Sequence, residues 1–133
     1  MSCVHPSSED ILVIAEHACP DMQIVLRDVG LLESAAHRPS ASMFGQEAYQ
    51  EAYTDVIDKA AALLQSLAIN HPLFDGNKRT AWLSCVTFLA MNGVGLRPDI
   101  DAAERLIIAV ATGETDEVKV ISQGLCDLTA DPV

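Results

Sequence analysis

The sequence predicts an all-α fold, a compact bundle of about six helices forming one domain. Apolar residues recur at three- and four-residue spacing through most of the chain, and Pro and Gly fall between the periodic runs. Alternating β-branched stretches are nearly absent. With 133 residues, half of them apolar, the chain can bury a core without covalent staples.

The first helix starts at Ser7 or Ser8, with Glu9 and Asp10 in its first turn, and ends before Pro20. Ile11, Leu12, Ile14, Ala15 and Ala18 form its apolar face. Residues 19–28 read as irregular, and residues 30–37 as a short second helix stopped before Pro39. A Pro/Ser/Gly-containing connector follows at 38–45. The longest periodic run, 46–69, sets Tyr49, Tyr53, Ile57, Ala60, Ala61, Leu64, Leu67 and Ala68 on one broad face. Pro72 and Gly76 break it. Periodicity resumes at 77–92 through Ala81, Trp82, Cys85, Phe88 and Leu89, with Gly93 placed as the residue after the helix cap. Residues 94–97 form the one strand-like stretch. Asp101 is expected to cap a helix running through Ala111 and closed by Gly113, and the last helix is expected over about 115–128.

Composition narrows the function. The net charge is −11, with eight Lys and Arg in all, so the surface repels nucleic-acid backbones and an anionic ligand must be bound at one concentrated positive spot. Lys78 and Arg79 are adjacent and supply such a spot. No apolar run is long enough to span a bilayer, and residues 1–10 lack the pattern of a secretory signal, so the expected location is the cytoplasm. Cys3, Cys19, Cys85 and Cys126 are widely spaced and read as free thiols rather than a disulfide framework.

The chemistry gathers in the loop 71–79, His-Pro-Leu-Phe-Asp-Gly-Asn-Lys-Arg, between two strongly helical runs. A helix beginning near Asn77 presents unpaired N–H groups and the positive end of its dipole, an anion site. Gly76 lets the backbone approach a ligand. Asn77 can donate to a phosphate oxygen, and Lys78 and Arg79 add positive charge at the same helix mouth. Asp75 is a hard oxygen ligand suited to Mg²⁺ beside a phosphate, and His71 is the loop's neutral-pH base. Taken singly, each residue is an ordinary turn or helix-end residue. Together they match the needs of phosphoryl or nucleotidyl transfer to a hydroxyl. Neither a Walker A nor a Rossmann glycine pattern is present.

This loop resembles the Fic/Doc signature His-x-Phe-x-Asp/Glu-Gly/Ala-Asn-Gly/Lys-Arg, matching at His71, Asp75, Gly76, Asn77, Lys78 and Arg79. Further similarity to its death-on-curing (Doc) branch lies in Arg27-Asp28, Gly30-Leu31-Leu32-Glu33-Ser34-Ala35, Arg38-Pro39, Thr80-Ala81 and Asn92-Gly93, covering about residues 8–125 of a single domain, 1–133. Lys78, rather than Gly, is the Doc-type residue at its position. The resemblance implies an ATP- and Mg²⁺-dependent kinase that acts on a threonine of elongation factor Tu and arrests translation. It also implies a Phd-type antitoxin as partner. On the same basis His71 is the general base, Asp75 the metal ligand, and Gly76, Asn77, Lys78 and Arg79 the nucleotide-binding set. The connector 38–45 takes the place of the target-orienting flap, with Met43 and Phe44 as contacts for target or antitoxin.

Two residues depart from the pattern. Leu73 stands where the signature has a core-anchoring Phe, a role open to Leu73 or its neighbour Phe74, and Ile69 stands where the phage-type member has a phosphate-contacting Arg. The family's internal inhibitory pattern, Ser/Thr-x-x-x-Glu-Gly/Asn, is absent. Two alternatives remain: AMP transfer by the same fold, against which Lys78 counts, and a degenerate module that binds without catalysis, against which His71 and Asp75 count.

Overall fold

Helix α1 (Ser8–Ala18) opens with a capping box: the Ser7 hydroxyl accepts from the Asp10 amide, and the Asp10 carboxylate accepts from the Ser7 amide. The structure, a computed structural model, describes residues 3–40 and 55–130. Five more helices follow among these residues: α2 (Val29–His37), α3 (Val56–Asn70), α4 (Asn77–Met91), α5 (Ile100–Ala111) and α6 (Val118–Leu128). The predicted all-α bundle is the fold observed. Residues 46–54 of the longest predicted helix lie outside the described residues, as do Met43, Phe44, Tyr49 and Tyr53.

Helix α3 is the centre of the bundle and packs against α2, α4, α5 and α6. Ala60, Ala61, Ala62, Leu63, Leu64, Leu67 and Ala68 are all buried, so this helix is covered nearly all round, and its alanines let neighbouring helices come close. Ile11, Leu32, Ala81, Phe88, Leu89, Val110, Ile121 and Leu125 complete the core from the surrounding helices. Two charged residues of α3 are also buried. The Asp58 carboxylate accepts from Lys119 at 2.6 Å, and the Lys59 ammonium donates to the Pro39 carbonyl at 2.9 Å. Pairing is what makes such burial tolerable.

Several boundaries move, each for a local reason. Asp99, not Asp101, caps α5: its backbone is still extended and its carboxylate accepts from the Ala102 amide at 3.0 Å, which leaves Asp101 in the first turn. Helix α6 begins at Val118 rather than near Thr115, because the Thr115 amide turns back to the Ala109 carbonyl at 3.0 Å. Asp28 caps α2 one residue earlier than expected, and the connector begins as a 3₁₀ turn, Arg38–Ser40. The strand-like stretch 94–97 pairs at Leu96 with Thr129, tying down the end of α6. All four cysteines are free, and burial pushes the Cys85 thiol up to about 12. Among the described residues no helix is long and apolar enough to cross a membrane.

Candidate active site

Helix α3 ends at His71, whose backbone is left-handed (φ 52°, ψ 64°). It is the one non-glycine residue with positive φ among the described residues. Pro72 follows and disfavours the right-handed helical conformation at His71, so the helix cannot continue. The loop then runs beside the segment predicted to be irregular. Leu73 pairs with Leu26 in an antiparallel bridge, the Phe74 amide donates to the Val25 carbonyl at 3.0 Å, and the Arg27 amide donates to the Pro72 carbonyl at 2.7 Å.

Leu73 is fully buried while Phe74 is 68% exposed. The core-anchoring role therefore falls to Leu73, and the shifted packing that would have put Phe74 inside does not occur. The smaller Leu fits because its backbone is clamped as well. The Asn77 side chain accepts from the Leu73 amide at 3.0 Å and donates to the Leu73 carbonyl at 2.9 Å. Asn77 thus spends most of its side-chain capacity closing the loop, and one amide hydrogen remains for a ligand.

Gly76 is the residue before α4, with φ 83° and ψ 13°. A Cβ at this position would lie 2.8 Å from the Cys19 sulfur and 3.4 Å from the Met22 sulfur. In this chain glycine is favoured here by conformation and by contact alike. No side chain caps this end of α4, so its first N–H groups are available to an anion. Asp75 directs one oxygen to the Gly76 amide at 2.8 Å, which leaves the other for a cation.

One cavity of about 570 Å³ is lined by His71, Asp75, Gly76, Asn77, Lys78 and Arg79, with Met22, Phe74 and Ile108 among its apolar walls. All six loop residues proposed from sequence therefore face the same space. Met43 and Phe44 lie outside the described residues. Ile69 is 42% exposed on the last turn of α3 and is not part of the cavity wall. A second cavity of about 630 Å³ adjoins the first, shares Lys78, Arg79 and Ile108 with it, and is otherwise mostly apolar, with Trp82, Leu83, Ile100 and Ile107.

Arg79 pairs with Asp21 at 2.9 Å, and that hydrogen bond, followed by the charge of Asp21, raises the guanidinium pKa above its ordinary value. Both side chains are more than half exposed, so the pair is weak and a phosphate can displace the carboxylate. Asp21, Met22, Cys19 and Arg27 were not singled out for the site from sequence. The available signal was small: one of the few basic residues, and an Ile24-Val25-Leu26 run suited to extended backbone.

An α-helical bundle with a histidine, a carboxylate and a cationic helix mouth around one loop defines a class, and comparison with known proteins identifies it. The model of the Fic/DOC family matches residues 5–89, and the chain belongs to the Fic/Doc family. It is 49% identical over 110 residues to Toxin Doc of Mycolicibacterium smegmatis, covering 81% of each chain. It is 36% identical over 89 residues to Protein kinase doc of Escherichia phage P1, covering 67% of this chain and 66% of the phage protein.

Proposed function

We infer that the chain is a Doc-type toxin that transfers the γ-phosphoryl group of ATP to a hydroxyl of a target protein, the target being a threonine of elongation factor Tu. The observation that carries this reading is the single cavity shared by His71, Asp75 and the cationic start of α4. The names of the two relatives, a toxin and a protein kinase, agree with it.

The acceptor oxygen attacks the γ-phosphorus, the bond to the bridging oxygen breaks, and ADP leaves. His71 takes the acceptor proton. Its exposed imidazole suits that task, since a positioned base typically contributes about 10²–10⁴-fold in rate. Lys78, Arg79 and the free N–H groups of α4 hold the phosphate oxygens where negative charge gathers. Phe74, Met22 and Ile108 line the same space and limit water near the transferring group.

Among the described residues no cluster of three or more metal-binding side chains exists. The carboxylate lining the cavity is that of Asp75, a donor that fits Mg²⁺, which is commonly held by one or two carboxylates with the remaining positions filled by phosphate oxygens and water. Asp75 would hold it through its unbonded oxygen. When bound there, Mg²⁺ neutralises phosphate charge that this acidic chain would otherwise repel.

An external inhibitor fits a chain without the family's internal inhibitory pattern. A Phd-type antitoxin is the expected partner, with Met43 and Phe44 as proposed contacts. Incubation with elongation factor Tu and ATP labelled at either the γ or the α phosphorus tests the activity. Label from γ alone is expected. Label from α would mean AMP transfer, and none from either would mean a module that only binds. Co-expression with an adjoining antitoxin reading frame should restore growth.

A further inference from the structure

Arg27 lies outside the signature loop, yet its side chain ends on it. Its Nε donates to the His71 carbonyl at 2.6 Å, and a terminal guanidinium nitrogen donates to the Asn70 carbonyl at 2.8 Å. These are carbonyls at the end of α3, which have no successor turn to bond them and where a cation is also favoured by the helix dipole. The backbone reinforces the contact, since the amides of Arg27 and Asp28 both donate to the Pro72 carbonyl, at 2.7 and 3.1 Å. Asp28 is itself fixed as the cap of α2, accepting from the Leu31 amide at 3.0 Å.

His71 needs such a clamp. Its left-handed backbone is unfavourable for a residue with a Cβ, and the following Pro72 favours an extended conformation instead. Rotation of His71 into that extended basin would carry the imidazole away from Asp75 and the start of α4. The planar fork of the guanidinium bonds the two successive carbonyls as the left-handed turn places them.

We propose that Arg27 is a positioning residue: it locks the left-handed turn at His71 and so aims the imidazole into the cavity. The inference rests on the reading of His71 as the base. It assigns to Arg27 a part in catalysis without contact with substrate.

The test compares Arg27→Gln, Arg27→Lys, His71→Ala and a distant control, Arg97→Gln, whose guanidinium bonds the Asp127 carbonyl. In Arg27→Gln, kcat for γ-phosphoryl transfer to elongation factor Tu should fall about 10- to 100-fold, the range expected on losing charged hydrogen bonds, with KM for ATP unchanged. Arg27→Lys keeps the charge without the fork, and its kcat should fall between Arg27→Gln and the parent. Ring ¹H–¹³C resonances of His71, assigned by their loss in His71→Ala, should shift or broaden in both Arg27 variants and stay in place in Arg97→Gln. Unchanged ring resonances or a parental kcat in Arg27→Gln would overturn the proposal, as would a raised KM with unaltered kcat. Should Arg27→Gln fail to fold, unchanged resonances in Arg27→Lys decide against it. An active His71→Ala overturns instead the reading of His71 as the base, whatever the Arg27 variants do.

Discussion

Gly76→Ala tests whether the turn before α4 is held by conformation and contact together. The φ of 83° places a Cβ in the left-handed region, which costs an L-residue about 1–2 kcal/mol. The new methyl would also meet the Cys19 sulfur at 2.8 Å. Cys19 is fully buried at the end of α1 and cannot step aside freely, so overpacking adds about 1–3 kcal/mol. The expected loss is the sum, about 2–5 kcal/mol. The two contributions separate in a double-mutant cycle with Cys19→Ala, read by urea denaturation. Removing the sulfur should abolish the overlap and leave the conformational cost, so Gly76→Ala in that background should still cost about 1–2 kcal/mol. Strict additivity of the two substitutions, within about 0.5 kcal/mol, would refute the contact. A total cost in the parent below about 1 kcal/mol would refute the strained turn as well.

Other consequences are as direct. His71→Ala should lower kcat by about 10²–10⁴-fold while ATP affinity and thermal stability stay near the parent's, as steady-state kinetics and calorimetry would show. Asp75→Asn should weaken Mg²⁺-dependent ATP binding in calorimetry, with little change when metal is chelated. Burial pushes the Asp58 carboxyl up, but hydrogen bonds from Lys119 and Ser122, with the charge of Lys119, outweigh it and leave the pKa below the ordinary 3.8. A depressed carboxylate contributes stability above that ordinary value and loses it as pH falls through the folded one. Asp58→Asn should therefore lower the urea midpoint at pH 7 and flatten its decline below about pH 4.

The helices were legible because their signals are local. The Ser7–Asp10 capping box, the breakers at Pro20, Pro72 and Gly76, and Gly93 with its φ of 84° all act within a turn of where they stand. The gathering of the six loop residues around one cavity was legible for the same reason, since they are nearly contiguous in the chain. What escaped was long-range. Arg27 reaches a carbonyl 44 residues away, and Arg79 pairs with a carboxylate 58 residues away. Residues 19–28 carry no helical period, and the pairing of Leu26 with Leu73 involves too few residues to leave one. Lys59 and Asp58 escaped because charged residues in a helical run read as solvated until their partners are known. For Asn77 the sequence offered an amide at an anion site, and the fold employs that amide first to close the loop.

The scarcity of positive charge carries more weight once the partners of each cation are known. Of the eight Lys and Arg, four donate to main-chain carbonyls: Arg27, Arg38, Lys59 and Arg97. Lys119 is engaged with Asp58, and Arg79 is held loosely by an exposed Asp21. Lys78 makes no salt bridge among the described residues and lines both cavities, and Arg105 is exposed on α5. A polyphosphate approaching this acidic surface therefore meets few cations able to turn toward it. Two of them stand side by side where α4 offers its free N–H groups. Of the engaged cations, Arg27 fixes the backbone of the loop at Asn70 and His71, while Arg38, Lys59, Arg97 and Lys119 are spent elsewhere in the bundle. On the proposed function, Arg27 fastens the loop while Lys78 and Arg79 attract the anion. That division of labour is how, on this proposal, a chain of net charge −11 would present a phosphate site.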